Sequence, residues 1–408
     1  MTAPALTYIP DILEEHLEEL GFLWGLRRTA LRSPLYSPRA FTYLEERIVA
    51  RLDGILADGE LGLPLLEDTL AADDFHAVFA AGYALLHSRN GTSAARVLEA
   101  FAQAGGARLM GLRDALCHAP AQSILPEIQA LARGAPSVGA VLAAEALAFH
   151  TAFQGSAPDI QRFLRDDDPA VRLGGWRVAG CLGLRLDAKT YAAALRDAPA
   201  VRRAALHAGA WSGEPGILAV GRKFAENPTP EDYDTLELLA ILGRPEDLPR
   251  FTALGRTPTL GPARFRLIGA LGNPALMELV FAGLGDPDPA TAAAAGAAFT
   301  KITGVEIASQ TRAKIPVGGA EPDAFEIEFL DEVTLPSPEL AHRAWDKMKA
   351  RLSQAPRVCR GFDLSRGLSR EALAVLDMES RWETCLRARF RGEWTGSLLT
   401  LERLPQRW

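Results

Sequence analysis

Apolar and small residues recur along the chain at the spacing of amphipathic helices. In DDDPAVRLGGWRVAGCLG, residues 166–183, four of them fall on one face of a helix: Val171, Gly175, Val178 and Leu182. The segment opens on Asp-Pro, which starts helices well because the carboxylate accepts free amide hydrogens and proline needs no donor there. Gly183 at its end suits the left-handed conformation that closes a helix. The sequence predicts a helix over 169–182, preceded by a partner helix that includes 158–164.

The same pattern returns about every 30 residues, as expected for a helical-hairpin repeat. RDAPAVRRAALHAGAWSG, residues 196–213, matches the first segment after a shift of 30 positions. The closing glycine recurs at Gly183, Gly213, Gly243, Gly272 and Gly304. A proline precedes each glycine, at Pro169, Pro199, Pro230, Pro262 and Pro289. Units of this kind bury their apolar faces only by stacking on one another.

The periodicity divides the chain into four regions and predicts an all-α fold. Degenerate copies extend the array upstream, so we expect residues 60–304 to form an α-solenoid of about eight helical hairpins. Residues 1–59 carry two helical apolar stripes of their own and are predicted to form a helical N-terminal cap. Residues 305–340 form a non-repeat acidic insertion, and we assign 341–408 to a helical C-terminal cap.

Composition narrows the classes of function. With 44 Lys and Arg against 51 Asp and Glu, the formal net charge is −7, which repels nucleic acid and anionic membranes and favours a basic partner. The chain shows no signal-peptide pattern and no run of 18 apolar residues, and its four cysteines lack metal-ligand spacing. We therefore expect a cytoplasmic protein with reduced thiols that binds neither membrane nor nucleic acid.

Motifs that carry catalysis are missing from the sequence. It contains no P-loop, no GxSxG and no HExxH, and its seven histidines are scattered about one per repeat. The aspartates of 166–168 could hold a divalent cation, but negative charge at a helix start is favoured by the helix dipole, so we interpret them as caps. We predict a non-enzymatic protein with no cofactor and no metal.

The insertion is the first candidate surface for a partner. It holds eight acidic residues against Arg312 and Lys314, and long insertions in repeat proteins often lie on a functional face. The candidate partner-binding residues are Glu321, Asp323, Glu326, Glu328, Asp331 and Glu332. The alternative is that the insertion packs beside the basic region 340–408, which neutralises it.

Two tryptophans are further candidates for partner binding. Trp176 and Trp211 replace small or polar residues on the predicted second helices of neighbouring repeats. Tryptophan on an exposed wall suits a binding hot spot. The alternative is that both rings are buried between repeats.

The pattern at 166–183 resembles the HEAT family of helical repeats, whose hairpins carry Asp-Pro and Val-Arg at the start of the second helix. The resemblance implies that second helices line a concave face. It also implies a set of hydrogen-bonding residues between repeats: Asp167, Arg172, Asp197 and Arg202. Ala292 stands near the arginine position of a later repeat, so we expect that ladder to be interrupted.

The ends of the chain look like a family of uncharacterised proteobacterial HEAT-like proteins. The similar segments are Phe22-Leu23-Trp24, Ser33-Pro34, Leu44-Glu45-Glu46-Arg47, LPSPELAHRAW at 335–345 and RGFDLSRGLSREALAVL at 360–376. The glycine- and glutamine-rich ending expected in that family is missing. Members are often encoded near type VI secretion genes, so the resemblance implies a role around a secreted toxin.

Together these observations predict a protein-protein interaction protein with a basic toxin or effector domain as its partner. One form is an immunity protein that neutralises a type VI secretion toxin, and the other is a scaffold or adaptor that loads a secreted effector. A HEAT-like DNA glycosylase or bilin lyase remains as the enzymatic alternative. That alternative requires a basic groove with a buried carboxylate, or a histidine and cysteine pair.

Overall fold

The computed structural model describes residues 10–404, apart from 89, 121, 156, 316–329, 366 and 368. The chain is predominantly helical, with 71% helix and 4% strand. The α-helices of the described residues are α1 Pro10–Ala30, α2 Pro38–Ala57, α3 Leu63–Thr69, α4 Phe75–His87, α5 Ser93–Gln103, α6 Gly106–His118, α7 Leu125–Arg133, α8 Val138–Phe149, α9 Ala157–Leu164, α10 Pro169–Leu182, α11 Ala188–Ala194, α12 Pro199–Ser212, α13 Gly216–Phe224, α14 Tyr233–Leu242, α15 Leu248–Gly255, α16 Ala263–Leu271, α17 Met277–Leu284, α18 Pro289–Thr303, α19 Pro338–Leu352, α20 Arg370–Val375, α21 Met378–Phe390 and α22 Leu398–Glu402.

Short 3-10 helices and strands connect some of these helices. The 3-10 helices are Gly59–Gly62, Gln122–Ile124, Pro230–Asp232, Pro245–Asp247, Pro258–Leu260 and Pro274–Leu276. The strands are β1 Ala308–Lys314, β2 Glu332–Pro336, β3 Val358–Cys359 and β4 Phe362–Asp363. β1 pairs antiparallel with β2, and β3 pairs antiparallel with β4.

The helix predicted over 169–182 is present with those bounds as α10. An oxygen of Asp168 accepts a hydrogen bond from the amide of Ala170 at 2.8 Å, and Pro169 occupies the first turn. Gly183 ends the helix with φ 60° and ψ 33°. An oxygen of Asp166 in turn accepts from the amide of Asp168 at 2.9 Å. Two of the three aspartates therefore organise the helix start, as predicted for caps.

Left-handed closure is confirmed at four of the five predicted glycines, where φ lies between 60° and 77°. Gly243 is the exception, with φ −53° and ψ 155°. The prediction is wrong there because the chain leaves α14 in an extended conformation through Arg244 and enters the 3-10 helix Pro245–Asp247 directly. A left-handed residue would turn the chain away from that path.

The chain forms two compact units. Unit 1 comprises the described residues of Met1–Ser212, Asp377–Trp382 and Gly396–Trp408, and unit 2 those of Gly213–Leu376 and Glu383–Thr395. In unit 1, α1 packs against α2 and α4, and the even-numbered helices from α4 to α12 each pack against the next one in chain order. In unit 2, α14 packs against α16 and α16 against α18. These successive contacts bury the small and apolar faces that the repeat presents.

Arg172 and Asp197, which the HEAT resemblance implies as hydrogen-bonding residues between repeats, are hydrogen bonded to each other. Two guanidinium nitrogens of Arg172 donate to the two carboxylate oxygens of Asp197 at 2.6 and 2.7 Å. Asp167 contributes only its backbone carbonyl, which accepts from Arg172 at 2.8 Å. Equivalent arginine-aspartate contacts recur in unit 2 between Arg222 and Asp247 and between Arg264 and Asp286.

The acidic insertion contains a β-ribbon that the sequence analysis did not predict. Ala308 pairs with Pro336, and Lys314 pairs with Glu332. The sequence of β1, ASQTRAK, lacks the apolar alternation that identifies a strand with one buried face. Its side chains are accordingly exposed or half-buried. The strands are a small addition to a predominantly helical fold.

Arg357 attaches a non-repeat segment of unit 2 to two of its helices. Its buried guanidinium donates to the carbonyl oxygens of Ala240, Ile241 and Ala270 at 2.6, 2.9 and 3.2 Å. These carbonyls lie in the last turns of α14 and α16, where backbone acceptors lack intrahelical partners. The amide of Val358 also donates to the carbonyl of Gly272 at 2.6 Å. Arg357 therefore satisfies two helix ends at once.

Candidate functional site

A cavity of about 550 Å³ lies in unit 1 among α1, α6, α8, α10, α12 and α22. We call it the arginine-lined cavity. Its charged lining residues are the arginines Arg27, Arg28, Arg32, Arg113, Arg177 and Arg203 and the carboxylates Asp114, Glu145 and Glu402. The lining holds six arginines against three carboxylates, and Arg27 is also paired at 2.8 Å with Glu45, which lies outside the lining. The cavity therefore has an excess of positive charge, although the net charge of the whole chain is −7.

Buried charges form the floor of the arginine-lined cavity. Nη1 of Arg113 donates to Oε1 of Glu145 at 3.2 Å, and Nε of Arg113 lies 3.1 Å from Oδ1 of Asp114. The indole nitrogen of Trp24 donates to the other oxygen of Asp114 at 2.9 Å. Because α6 supplies Arg113 and Asp114 while α8 supplies Glu145, the floor depends on how these two helices are packed.

Glu145 has one oxygen that the protein does not satisfy. The residue is only 5% exposed, and its Oε2 has no hydrogen-bond partner among the described residues. An unpaired buried acceptor costs roughly 1–3 kcal/mol, and more when it is charged. A donor that reached this oxygen from the cavity would remove that cost.

The rim of the cavity carries four more accessible arginines: Arg28, Arg32, Arg177 and Arg203. The side chains of Arg28 and Arg32 are about half exposed and lie 3.6 Å from Asp114 and 3.8 Å from Glu402. Arg177 is exposed and forms no hydrogen bond or ion pair within the described part of the chain. The rim thus presents guanidinium groups, which match the geometry of phosphate and carboxylate oxygens.

Two histidines line the cavity without adding charge. Burial holds the pKa of His118 well below its ordinary value, and nearby arginines act in the same direction. Burial, together with the charges of Arg32 and Arg203, lowers the pKa of His207 to about 3. Both imidazoles are therefore neutral near pH 7, and the arginines supply the positive charge.

A second feature of unit 1 is a groove of about 1050 Å³ among α1, α3 and α4, which we call the α1 groove. Its helices approach closely because two glycines of α1 face α4. A Cβ at Gly21 would lie 2.8 Å from the carbonyl oxygen of His76, and one at Gly25 would lie 2.5 Å from its ring. Nδ1 of His76 lies within hydrogen-bond distance, 3.1 Å, of the Gly21 carbonyl.

The α1 groove combines an exposed aromatic ring with exposed carboxylates. Phe22 is 64% exposed and lies one helical turn after Glu18. Glu14 and Glu18 are exposed and form no ion pair with any described residue. Leu17, Leu26, Leu65 and Ala77 complete the apolar part of the lining, and Asp74, Arg28 and His76 also border it. An exposed apolar group beside negative charge suits a basic amphipathic partner.

Trp176 and Trp211 both line the arginine-lined cavity, but both are buried, at 2% exposure. The ring of Trp176 lies 5.1 Å from that of Tyr191, and the ring of Trp211 lies 5.7 Å from that of Trp382. The structure brings the two tryptophans to one cavity, and their packing matches the alternative of burial between helices. A ligand reaches them only by entering the cavity.

Two of the six acidic candidates of the insertion belong to the described residues. Asp331 is exposed, and Glu332 forms ion pairs across the ribbon with Arg312 and Lys314 at 3.3 and 3.7 Å. These pairs are exposed and contribute about 0–1 kcal/mol each. The other candidates, Glu321, Asp323, Glu326 and Glu328, lie outside the described residues.

Sequence reasoning missed the residues of the cavity floor, although a signal for them exists. Arg113 and Asp114 interrupt the apolar run LMGLRDALC, and Glu145 interrupts VLAAEALAF. Charges inside a run that is otherwise apolar belong either to a solvent-facing stripe or to a buried ionic cluster. The choice between these depends on packing, which single-helix periodicity does not specify.

The described residues show no metal-ligand cluster, no disulfide and no membrane-spanning helix. No three His, Cys, Asp or Glu side chains come together there as metal ligands would. The four cysteines are buried, and none forms a disulfide. No helix in this part of the chain has both the length and the apolar character needed to cross a membrane.

Comparison with protein families found no family model that matches the chain, and comparison with curated proteins found no match either. We therefore infer its function from the residues and their geometry.

Proposed function

We propose that this chain is a non-enzymatic protein-binding protein that holds a basic, amphipathic segment of a partner in the α1 groove. The observation that carries the proposal is the exposed ring of Phe22 beside the unpaired carboxylates of Glu14 and Glu18. Full burial of a phenylalanine side chain contributes roughly 1.5–3 kcal/mol. The carboxylates favour a partner of positive charge and disfavour one of negative charge.

The proposal includes an α-solenoid of HEAT-like hairpins as the scaffold. The period of about 30 residues and the packing of each even-numbered helix from α4 to α12 on the next one support it. In such an array each unit contacts its neighbours. The α1 groove lies among α1, α3 and α4, at the beginning of this array.

The biological role that we propose is immunity against a basic toxin domain, with delivery of a secreted effector as the second form. Both forms rest on the sequence resemblance to proteins encoded near type VI secretion genes and on the charge of the groove. They differ in one outcome: an immunity protein protects cells that express its toxin, whereas an adaptor changes the amount of effector secreted. Co-expression with a candidate basic toxin and a secretion assay separate the two.

A direct test uses a fluorescently labelled model helix of leucine and lysine, about 18 residues or five turns long. We expect it to bind the full chain, with anisotropy that falls as salt rises, while a leucine and glutamate helix does not bind. Phe22→Ser should weaken binding at least tenfold. Tyr43→Ser is the matched control, because Tyr43 is exposed to the same extent, 63%, on α2. Equal affinity for both helices, or equal effects of both variants, would contradict the proposal.

A further inference from the structure

We infer that the arginine-lined cavity of unit 1 is a second binding site, which takes an organic phosphate of nucleotide size. The rim arginines hold its phosphate group, and Oε2 of Glu145 accepts a hydrogen bond from its ring. This site is distinct from the α1 groove in charge and in the kind of ligand it takes.

The phosphate assignment rests on the rim. Arg177 is exposed on α10 and unpaired within the described residues, and Arg203 is exposed on α12, the helix that packs against α10. Guanidinium groups donate parallel hydrogen bonds to phosphate oxygens, and such charge-assisted bonds are about twice as strong as neutral ones. Arg28 and Arg32 extend the same rim.

The floor requires a second chemical group on the ligand. Oε1 of Glu145 is occupied by Arg113, while Oε2 is buried and lacks a partner among the described residues. A carboxylate oxygen only accepts hydrogen bonds, and so does a fully ionised phosphate. Inorganic phosphate near pH 7 keeps one or two O–H groups, but it would bring negative charge against the Glu145 carboxylate, whereas a neutral N–H group on a ring would not.

Nearby polar atoms and the size of the cavity agree with this ligand class. Nδ1 of His118 and Nδ1 of His207 are also buried without hydrogen-bond partners in the described residues. A volume of about 550 Å³ falls within the usual range of small-molecule sites, roughly 300–1,000 Å³. A ligand with phosphate at the rim and a donor-bearing ring at the floor has the composition of a nucleoside monophosphate.

Isothermal titration calorimetry on the full chain tests the assignment with four probes: AMP, purine riboside monophosphate, ribose 5-phosphate and inorganic phosphate. We expect AMP to bind at least tenfold more tightly than the other three, because only AMP brings both the phosphate and the amino donor. The comparison of AMP with purine riboside monophosphate, which lacks the amino group, needs no protein variant. Equal affinity for these two nucleotides would show that Glu145 does not accept a hydrogen bond from the amino group.

Charge variants test the rim. Arg177→Met/Arg203→Met should weaken AMP binding by about 10- to 100-fold, whereas Lys189→Met/Arg196→Met, an equal loss of charge at exposed positions outside the cavity, should not change it. Glu145→Gln should bring AMP and purine riboside monophosphate to similar affinity. Phe22→Ser should leave AMP binding unchanged. A failure of the nucleotide-site inference is therefore distinguishable from a failure of the α1 groove proposal.

Three results would overturn the inference. The first is no heat of binding for any probe at millimolar concentration. The second is equal AMP affinity in the rim variant and the wild type. The third is binding of a single-stranded oligonucleotide without binding of AMP, which would identify the cavity as part of a nucleic-acid surface.

Discussion

Arg172 and Asp197 are joined by two hydrogen bonds, and Arg222 and Asp247 repeat this contact at the same separation of 25 residues. The two pairs differ in burial. The side chain of Asp197 is 15% exposed, while that of Asp247 is fully buried and is also hydrogen bonded to the amide of Arg244 at 3.0 Å. We therefore expect the contact in unit 2 to contribute more to the free energy of unfolding than the contact in unit 1.

Removal of the Asp247 carboxylate should destabilise the protein strongly. Asp247→Ala removes the acceptor of the Arg244 amide and leaves Arg222 with Glu246 alone, at 3.4 Å, and the loss of such charged hydrogen bonds costs about 1–3 kcal/mol. We expect a lower urea midpoint for this variant. Glu332→Gln is the control, because the ion pairs of Glu332 are exposed and the expected change is within about 1 kcal/mol. A similar loss of stability in the two variants would show that burial does not determine how much these ion pairs contribute to the free energy of unfolding.

The pKa of His207 predicts a pH dependence of stability. Its pKa falls from an ordinary 6.5 to about 3 in the fold, so between these values the unfolded chain binds a proton that the folded chain does not. The free energy of unfolding should therefore decrease as pH falls below 6.5, by at most about 1.4 kcal/mol per pH unit from this group. Above pH 6.5 its contribution is constant.

Two measurements check this dependence. The ring resonances of His207 should not titrate between pH 8 and pH 5 in the folded protein. In His207→Phe, stability should decrease less between pH 7 and pH 5 than in the wild type. Protonation of folded His207 near pH 6.5 would contradict the burial and the arginine charges around it.

Arg357 should hold its segment of unit 2 in place. Arg357→Ala leaves carbonyls of α14 and α16 without their donor, and we expect a loss of about 3 kcal/mol or more. The amide of Val358, which donates to Gly272, should then exchange its hydrogen faster. Arg343→Ala, at an exposed position of α19, provides the comparison. An unchanged rate of amide hydrogen exchange at Val358 in Arg357→Ala would show that Arg357 does not anchor this segment.

The helices were predictable where the determining residues lie within one helix. Asp168, Pro169, the spaced apolar positions and Gly183 act within α10, so local pattern alone specified its bounds. The cavity floor was not predictable in this way. Arg113 and Glu145 are 32 residues apart and meet because α6 packs on α8. Their contact depends on helix register, which a repeat period of about 30 residues indicates only approximately.

The tryptophans illustrate the same limit. Helical spacing identified Trp176 and Trp211 as unusual residues on the second helices, and the structure brings both to one cavity. It also buries both rings against Tyr191 and Trp382. Trp382 is 171 residues from Trp211, beyond the repeat, and no periodicity relates these positions.

The central claim is that the carboxylates of the α1 groove select a basic partner. Charge reversal in Glu14→Lys/Glu18→Lys tests it most directly, since both residues are exposed and unpaired within the described residues. Glu46→Lys/Glu99→Lys is the control of equal charge change, at exposed positions of α2 and α5 outside the groove. The measurement is the affinity of each variant for the lysine helix and for the glutamate helix. The account predicts that the groove variant binds the lysine helix more weakly and the glutamate helix more tightly than the wild type does. The control should keep the preference of the wild type. Retention of the lysine helix by the groove variant, or the same change in both variants, would contradict it.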